Sequence, residues 1–381
     1  MTVMTRMYNR HSGLYVHIPF CRSKCSYCSF YSTTSLDGID DFLSALFTEM
    51  NFYGSSFGRF DTLYIGGGTP SLLSIKHFSE ILTHVHKIFH FTENPEITVE
   101  INPVDMSFIE LKSLRSMGVN RISIGVQSFN DDILAFLGRR HTGSQARRTI
   151  VDARRAGFEN IGLDLMYGIP GQDIPLWAET LEEAISCELE HLSCYQLTLE
   201  DDTPLGKRRR MEEFLLPDED SQYDFFMRTS TILEGAGYVH YEVSNFARNG
   251  NLVSKHNSKY WNHTPYLGLG PAAHSLAEKR RWWNRGSLAE YLADIHAGKA
   301  PVATSETLSR EELRLEALFL GFRTKEGIHL KNFNTRFECD LLEEKAGTIK
   351  TLQNSGFIRI EDGYLRPTSS GLAVADSLSL I

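Results

Sequence analysis

The chain has 381 residues, of which 41% are hydrophobic and 23% are charged. This length suits one large domain with a smaller one attached, or two domains of similar size. The formal charge of -9 at pH 7 argues against general binding to nucleic acid or anionic membrane, which would need a basic face. No stretch approaches the ~20 apolar residues of a membrane-spanning helix, and the first residues lack a signal-peptide core. The sequence therefore predicts a cytoplasmic protein.

Six short runs with high strand propensity occur in the first two hundred residues, and segments with helical periodicity lie between them. The runs are residues 14–18, 62–66, 96–101, 121–126, 161–167 and 192–199. Strands that alternate with helices of this length are typical of parallel βα units. The sequence thus predicts an α/β fold in which six units form an incomplete barrel or a curved open sheet.

Polar or metal-ligating residues are assigned to the carboxyl ends of five of these strands. They are the cysteines from Cys21, the GGGTP stretch at 66–70, Glu100 with Asn102, Gln127 with Ser128, and Asp164. In parallel α/β folds the functional residues gather at the carboxyl ends of the strands. Glycines also form tight turns, and polar residues also cap helices. As a set, however, these residues predict one functional rim.

Three of the six cysteines lie within eight residues. Cys21, Cys25 and Cys28 have CxxxCxxC spacing, which in a reducing compartment is typical of metal ligands. Three thiolates would hold a 4Fe-4S cluster with one iron open to a small molecule. Zinc is the alternative, with His17 as a fourth ligand, although a His17 bonded to the backbone is the plainer interpretation. The other cysteines, Cys187, Cys194 and Cys339, are interpreted as buried structural thiols.

The stretch LYVHIPFCRSKCSYCSF, residues 14–30, resembles the signature of the radical SAM superfamily. With its YVHIPFC lead-in and the later GGGTP, it resembles the branch of oxygen-independent coproporphyrinogen III oxidases and heme chaperones. The resemblance implies an incomplete (β/α)6 radical SAM barrel and a 4Fe-4S cluster on Cys21, Cys25 and Cys28. It also implies that the open iron binds the amino and carboxylate groups of S-adenosylmethionine.

The same resemblance implies cofactor contacts along the predicted rim. Glu100 would accept a hydrogen bond from a cofactor amine or hydroxyl, and Asp164 would accept from the ribose hydroxyls. The glycine backbone would approach the methionine end, because no Cβ intervenes. The full set of implied cofactor contacts is Tyr15, Tyr27, Gly66, Gly67, Gly68, Thr69, Glu100, Gln127, Arg139 and Asp164.

Three features favour the heme-chaperone side of this branch. Phe30 stands where the oxidases have an additional cysteine, and only twenty residues precede Cys21, fewer than in the oxidases. HNSKYW, from His256 to Trp261, resembles a motif associated with heme in the chaperones. His256 is the candidate for iron or porphyrin contact, and His263 and His274 are lesser candidates. An aromatic loop with a hydrogen-bonded His256 is the alternative interpretation.

The sequence as a whole predicts a heme-binding chaperone that delivers heme to acceptor hemoproteins. One alternative is the coproporphyrinogen III oxidase itself. Another is a radical SAM enzyme that modifies a different tetrapyrrole, such as a heme-modifying methyltransferase. A winged-helix regulator with a sensing cluster is a third. Whether S-adenosylmethionine is cleaved to a radical is left open, as is a homodimer.

Three segments are predicted: a core at 1–235, a connecting segment with the HNxxYW motif at 236–300, and an accessory domain at 301–381. In the last, helices precede a hairpin at Glu361–Gly363, which predicts a small winged-helix-like α+β domain. Because neither the hairpin nor its helix is strongly basic, no nucleic-acid partner is predicted. The basic run at 207–210 is interpreted as a solvated loop, with attraction to porphyrin carboxylates or peripheral membrane contact as the alternative.

Overall fold

The computed structural model describes residues 11–54 and 56–378. The chain forms two compact units, each built from three segments. The first comprises the residues up to Asp164, then Thr198–Phe214 and Thr264–Thr307. The second comprises Leu165–Leu197, Leu215–His263 and the residues from Leu308 onward. Residues 1–10 of the predicted core segment lie outside the described residues, and the boundaries predicted at 235 and 300 stay predictions.

The described residues form fifteen strands and sixteen α-helices. The strands are β1 (Ser12–Ile18), β2 (Phe60–Gly67), β3 (Phe91–Ile101), β4 (Arg121–Gln127), β5 (Ile161–Tyr167), β6 (His191–Gln196), β7 (Val239–Glu242), β8 (Asn245–Ala247), β9 (Tyr266–Leu269), β10 (His274–Ala277), β11 (Arg280–Asn284), β12 (Val302–Thr307), β13 (Ile328–His329), β14 (Ile358–Glu361) and β15 (Tyr364–Pro367). The helices are α1 (Ile39–Tyr53), α2 (Ile75–Ile88), α3 (Phe108–Ser116), α4 (Asp131–Leu137), α5 (Gly143–Arg155), α6 (Ile174–Ser186), α7 (Pro204–Arg210), α8 (Glu219–Gly235), α9 (Lys255–Trp261), α10 (Leu288–His296), α11 (Arg310–Phe322), α12 (Leu330–Phe337), α13 (Leu341–Glu344), α14 (Ala346–Asn354), α15 (Ser369–Ala373) and α16 (Ala375–Leu378).

The six predicted βα units are confirmed. Each strand from β1 to β6 is followed along the chain by at least one helix. The third strand begins at Phe91, five residues before the predicted start, and the sixth ends at Gln196, three residues before the predicted end. Several of the helices are capped at the N-terminus by a side chain that accepts a hydrogen bond from a backbone N–H group of the first turn. Ser74, Ser107 and Thr142 each form a capping box.

The sheet of the first unit has one apolar and one polar face. Its strand order is β12-β11-β10-β9-β1-β2-β3-β4, and β9 with β1 to β4 runs parallel. Side chains along a strand alternate between the two faces. One face carries buried aliphatic residues such as Leu14, Ile65 and Ile122. The in-register residues of the other face include Tyr15, Tyr64, Thr98 and Arg121, so the polar groups share one side of the sheet.

The second unit contains a small antiparallel arrangement and a separate three-stranded sheet. Strand β8 pairs with both β6 and β7, and Trp177 on α6 donates its indole N–H to Thr229 on α8 at 2.8 Å. The three-stranded sheet has the order β13-β15-β14. Asp362 and Gly363 both have positive φ, as a tight turn between antiparallel strands requires. The predicted C-terminal α+β domain with its hairpin is thereby confirmed.

Among the described helices, none is both long and apolar enough to cross a membrane.

Candidate functional site

The three clustered cysteines lie on the loop that follows β1. Backbone hydrogen bonds fix the beginning of this loop, because Cys21 N–H donates to Thr33 O at 2.9 Å and Thr33 N–H donates to Pro19 O at 2.7 Å. Its middle is held by Ser26, whose hydroxyl donates to Leu137 O at 2.9 Å. The thiols therefore sit on a loop that is anchored on both sides of Cys25.

A chain of hydrogen bonds connects two of these cysteines. Thr69 Oγ1 donates to Cys21 Sγ at 3.3 Å, and Arg139 Nη1 donates to Cys25 Sγ at 3.4 Å. Asn102 joins the two donors: its Oδ1 accepts from Arg139 Nη2 at 2.7 Å, and its Nδ2 donates to Thr69 Oγ1 at 3.2 Å. Hydrogen bonds to sulfur of this kind are also found around the cysteine ligands of iron–sulfur clusters.

The third cysteine lies within electrostatic reach of the other two. Burial raises the pKa of the Cys28 thiol, and the neighbouring Cys25 and Cys21 raise it further. A bound cation would reverse this effect, because metal ligation requires the deprotonated form. In the described part of the chain, no group of three or more His, Cys, Asp or Glu side chains is arranged to hold a single metal ion. A cubane makes a different demand, since each thiolate binds a different iron.

Three consecutive glycines, the last two residues of β2 and the residue after it, allow close approaches to neighbouring residues. A Cβ on Gly66 would lie 2.9 Å from the Glu100 carboxyl, and one on Gly67 would lie 2.7 Å from His17 Nδ1. A Cβ on Gly68 would lie 2.7 Å from Phe20 O and 3.1 Å from Cys21 Sγ. Gly67 also has φ +112°, which disfavours any other residue. Neighbouring atoms of the same chain therefore require a residue without a Cβ at all three positions.

Glu100, at the end of β3, is a buried carboxyl with two donors. Its Oε1 accepts from Tyr64 Oη at 2.7 Å, and its Oε2 accepts from Gly67 N at 3.1 Å. Burial raises the pKa of Glu100 to about 7, and the nearby Asp164 adds to this effect. Its two hydrogen bonds and the Arg121 guanidinium oppose the increase in pKa but do not cancel it. A cation or N–H donor at this carboxyl would therefore favour its ionised form.

Two further predicted residues lie on β4 and β5. Gln127 is the last residue of β4, whereas Asp164 lies in the middle of β5, so the prediction that it ends its strand is wrong. Asp164 Oδ1 accepts a hydrogen bond from Ser123 Oγ at 3.2 Å. Gln127 is buried and has φ +67°, an uncommon backbone conformation for a residue with a Cβ. Non-glycine residues held in this region often belong to functional sites. The first unit therefore brings Glu100 and Asp164 into electrostatic contact, and it places Gln127 in an unusual backbone state on the adjoining strand.

Three further residues lie on β1 or on the cysteine loop. Tyr15 and His17 belong to β1, and Tyr27 lies on the loop between Cys25 and Cys28. His17 Nε2 lies 3.0 Å from Tyr31 O, and its Nδ1 lies 3.1 Å from Tyr15 Oη. Both ring nitrogens are therefore engaged, as the backbone-bonded interpretation of His17 predicted. Burial raises the pKa of Tyr27, and Arg139 opposes that increase. His17 thus contributes to the scaffold of β1, and the zinc interpretation loses its fourth ligand.

The HNSKYW motif forms the short helix α9 in the second unit. His256 is 1% exposed, and its Nε2 lies 2.8 Å from Tyr260 Oη. His263 Nε2 lies 3.1 Å from Glu316 Oε2. In the first unit, the exposed His274 stacks on Trp283 with ring centroids 5.6 Å apart. Of the three heme candidates, His256 is therefore the most buried, and it already has a side-chain partner.

Sequence reasoning assigned no role to several polar residues of this site. The sequence marks Asn102 only as a strand-end residue, and it indicates no role for Tyr64, Ser123 and Arg121. Tyr64, Ser123 and Arg121 alternate with aliphatic residues along their strands. This alternation could have placed them on the polar face, because a strand that is polar at every second residue has one polar face. That pattern identifies the face but not the partners of each side chain.

The structure also places the basic run at 207–210, the three scattered cysteines and Phe30. The basic run at 207–210 is exposed, as predicted, but the loop assignment is wrong because these residues belong to α7. Cys194 is buried, whereas Cys187 and Cys339 are only partly buried, so the prediction of buried thiols is wrong for those two. Phe30 is 69% exposed, which leaves its side chain on the surface of the cysteine loop.

Comparisons with known proteins agree with this geometry. The family model of the Radical SAM superfamily matches residues 15–184, and that of the HemN C-terminal domain matches residues 308–374. The heme chaperone HemW of Lactococcus lactis subsp. lactis is 35% identical over 98% of this chain and 97% of its own length. The mitochondrial radical S-adenosyl methionine domain-containing protein 1 of Danio rerio is 33% identical over 96% of this chain and 86% of its own.

A solved structure shows the same fold. The coproporphyrinogen III oxidase HemN of Escherichia coli matches with a TM-score of 0.83 and 22% identity, covering 97% of this chain and 89% of that one. The predicted radical SAM fold is thus confirmed. The chain belongs to the radical SAM superfamily and, within it, to the family that includes the HemW proteins.

Proposed function

We propose that this protein is a heme-binding chaperone that also carries a 4Fe-4S cluster and S-adenosylmethionine. Relatives named heme chaperone HemW match nearly its whole length, and this observation carries the heme part of the proposal. Delivery to acceptor hemoproteins belongs to the same proposal.

Cys21, Cys25 and Cys28 would hold the cluster. The chemistry of the donor set supports this assignment: three thiols lie in mutual electrostatic reach, and Thr69 and Arg139 donate hydrogen bonds to two of the sulfurs. Hydrogen bonds to ligand sulfur also tune the reduction potential of a cluster. When bound, the cluster supplies an open iron site and an electron.

The carboxyls of Glu100 and Asp164 would bind S-adenosylmethionine. Glu100 is held in place by Tyr64 and Gly67, and the Asp164 carboxyl has a donor in Ser123. Glu100 would accept from the amine or a hydroxyl of the cofactor, and Asp164 from the ribose hydroxyls. Arg139, fixed by Asn102 and by Gly125 O at 2.5 Å, would place its positive charge beside both the cofactor and Cys25.

His256 would contact heme iron or the porphyrin. Because its Nε2 is bonded to Tyr260 and its ring is buried, iron ligation through Nε2 would require the imidazole to leave this partner. We therefore assign His256 a contact with heme in the heme-loaded state, in place of its contact with Tyr260.

The test compares heme binding with porphyrinogen turnover in the anaerobically reconstituted protein. We expect one equivalent of heme to bind in an absorbance titration, with loss of binding in His256→Ala. We expect no conversion of coproporphyrinogen III in the presence of S-adenosylmethionine and a reductant. Turnover without stable heme binding would overturn the chaperone assignment and favour the oxidase.

A further inference from the structure

A strip of exposed apolar side chains lies on α11 in the second unit. Leu315 is 59% exposed and Phe319 is 37% exposed. They are four residues apart on one helix, so their side chains lie next to each other on the same face. Single exposed apolar residues are common on protein surfaces, whereas adjacent large ones often mark a binding site.

The motif helix α9 extends this strip. Arg323, which follows α11, lies over two aromatic rings: its guanidinium carbon is 5.1 Å from the Phe319 ring centroid and 5.8 Å from the Trp261 ring centroid. The contact between His263 and Glu316, a residue between the two apolar ones, holds the end of α9 against α11. Trp261 and Phe319 are therefore two aromatic groups of one cluster, with a cation between them.

The cation of this cluster has one exposed partner. The Arg323 side chain is 24% exposed, and it forms an ion pair with Asp376, whose side chain is 76% exposed. An exposed carboxylate of this kind contributes little stability, and another carboxylate can replace it. Arginine binds carboxylates through paired N–H groups, so this guanidinium is suited to an anionic group on a ligand that covers the apolar strip.

We propose that Leu315, Phe319 and Trp261 form a platform for one face of a porphyrin macrocycle, and that Arg323 binds one of its propionate carboxylates. The inference rests on the proposed heme binding and adds a second set of contacts to His256. A porphyrin is flat, apolar on its faces and carboxylated at one edge, which matches an apolar strip with one cation. A stable protein interface buries roughly 1,200–2,000 Å², whereas this strip offers only three apolar side chains.

The platform predicts that binding does not depend on iron alone. The double variant Leu315→Ser with Phe319→Ser should weaken the binding of heme by about ten-fold or more, as expected when roughly 1.4 kcal/mol or more of apolar burial is lost. Metal-free protoporphyrin IX, followed by fluorescence, should lose a similar factor because the platform contacts the macrocycle. Ile360→Ser is the matched control, since Ile360 is 41% exposed on β14 of the same unit and should leave both affinities unchanged.

The carboxylate contact has its own test. Arg323→Gln should weaken protoporphyrin IX several-fold, Arg323→Lys should restore part of that loss, and neither change should alter binding of the dimethyl ester, which has no carboxylate. Thermal unfolding of each variant checks that the fold is retained. If folded platform variants bind heme and protoporphyrin IX as the wild type does, while His256→Ala loses heme, the platform is wrong and the proposed function stands. If the wild-type protein binds neither ligand, the proposed function itself fails.

Discussion

The cysteine and strand-end site of the first unit and the HNSKYW helix of the second unit differ in how their polar groups are satisfied. In the first unit, Arg139, Asn102 and Thr69 pass hydrogen bonds from one side chain to the next until they end on sulfur. In the second unit, His256 directs its ring to Tyr260 within its own motif. The candidate ligands of the first site accept hydrogen bonds from several strands and loops, whereas the candidate ligand of the second site is held in a contact within its own motif.

This difference shows what each kind of motif determines. Strand-end residues from several βα units meet only when the sheet forms, so their positions follow from the fold. A six-residue helical motif places His256 and Tyr260 four residues apart, where they can contact each other directly. The contacts of the first site therefore follow from the assembled sheet, whereas the second site would need a change in the His256 contact before Nε2 could ligate iron.

The largest effect should come from removing a proposed cluster ligand. In Cys25→Ser we expect the iron and acid-labile sulfide content after anaerobic reconstitution to fall to background, because an alcohol is a poor ligand for iron compared with a thiolate. Cys187→Ser is the control, since Cys187 is also a half-buried thiol but lies at the end of α6. Unchanged iron and sulfide in Cys25→Ser would refute the ligand assignment.

The next effect concerns the Asp164 carboxylate. Asp164→Asn should weaken S-adenosylmethionine by about ten- to one-hundred-fold, because hydrogen bonds to a charged group contribute ~1.5–3 kcal/mol. Ser123→Ala removes the hydroxyl that donates to Asp164 and should cost only a few-fold. Calorimetry on the reconstituted protein measures both. Cluster content should not change, and equal affinity in Asp164→Asn and the wild type would contradict the assignment.

Glu100 should make the stability of the protein depend on pH. Its pKa is raised to about 7 from an ordinary value of 4.5, so the folded state keeps a proton that the unfolded state has lost. The contribution of Glu100 to the free energy of unfolding is fully present below about pH 4.5, and it is lost as the pH rises through about 7. Glu100→Gln should remove this dependence, so relative to the wild type the variant gains stability, by at most about 3 kcal/mol, between pH 5 and pH 8.

Urea unfolding at several pH values tests this expectation. Glu49 and Glu242 are buried carboxyls whose pKa values burial also raises to about 7, so the wild type should retain a pH dependence after the Glu100 change. The informative quantity is therefore the difference between the variant and the wild type at each pH. A difference that is constant from pH 5 to pH 8 would show that Glu100 titrates as an ordinary carboxyl.

Much of the fold could be predicted from the sequence because the βα rhythm and the strand ends are local patterns. The six strands and the hairpin at Asp362 and Gly363 follow from short runs and a turn. The partners of the site residues could not be predicted in this way. Asn102 connects Arg139 to Thr69 across 37 and 33 residues of chain, and only the assembled sheet brings such distant residues together.

The basic run at 207–210 shows a different reason for error. Four adjacent cations suggest a solvated loop, but Thr203 caps the segment by accepting from Gly206 N–H at 3.0 Å, and Pro204 occupies the first turn. Both are helix-start signals. Arg208 also lies over the rings of Phe136 and Phe214, contacts that the local sequence cannot reveal.

The smallest effect should come from releasing His256 from its partner. Tyr260→Phe removes the hydroxyl that lies 2.8 Å from His256 Nε2 while keeping the ring that packs edge-on against the imidazole. If the contact competes with heme, this variant should bind heme a few-fold more tightly, since an ordinary hydrogen bond contributes about 1 kcal/mol. His256→Ala should instead weaken binding. A loss of heme affinity in Tyr260→Phe would show that the hydroxyl contacts the ligand, and that the two residues act together rather than in competition.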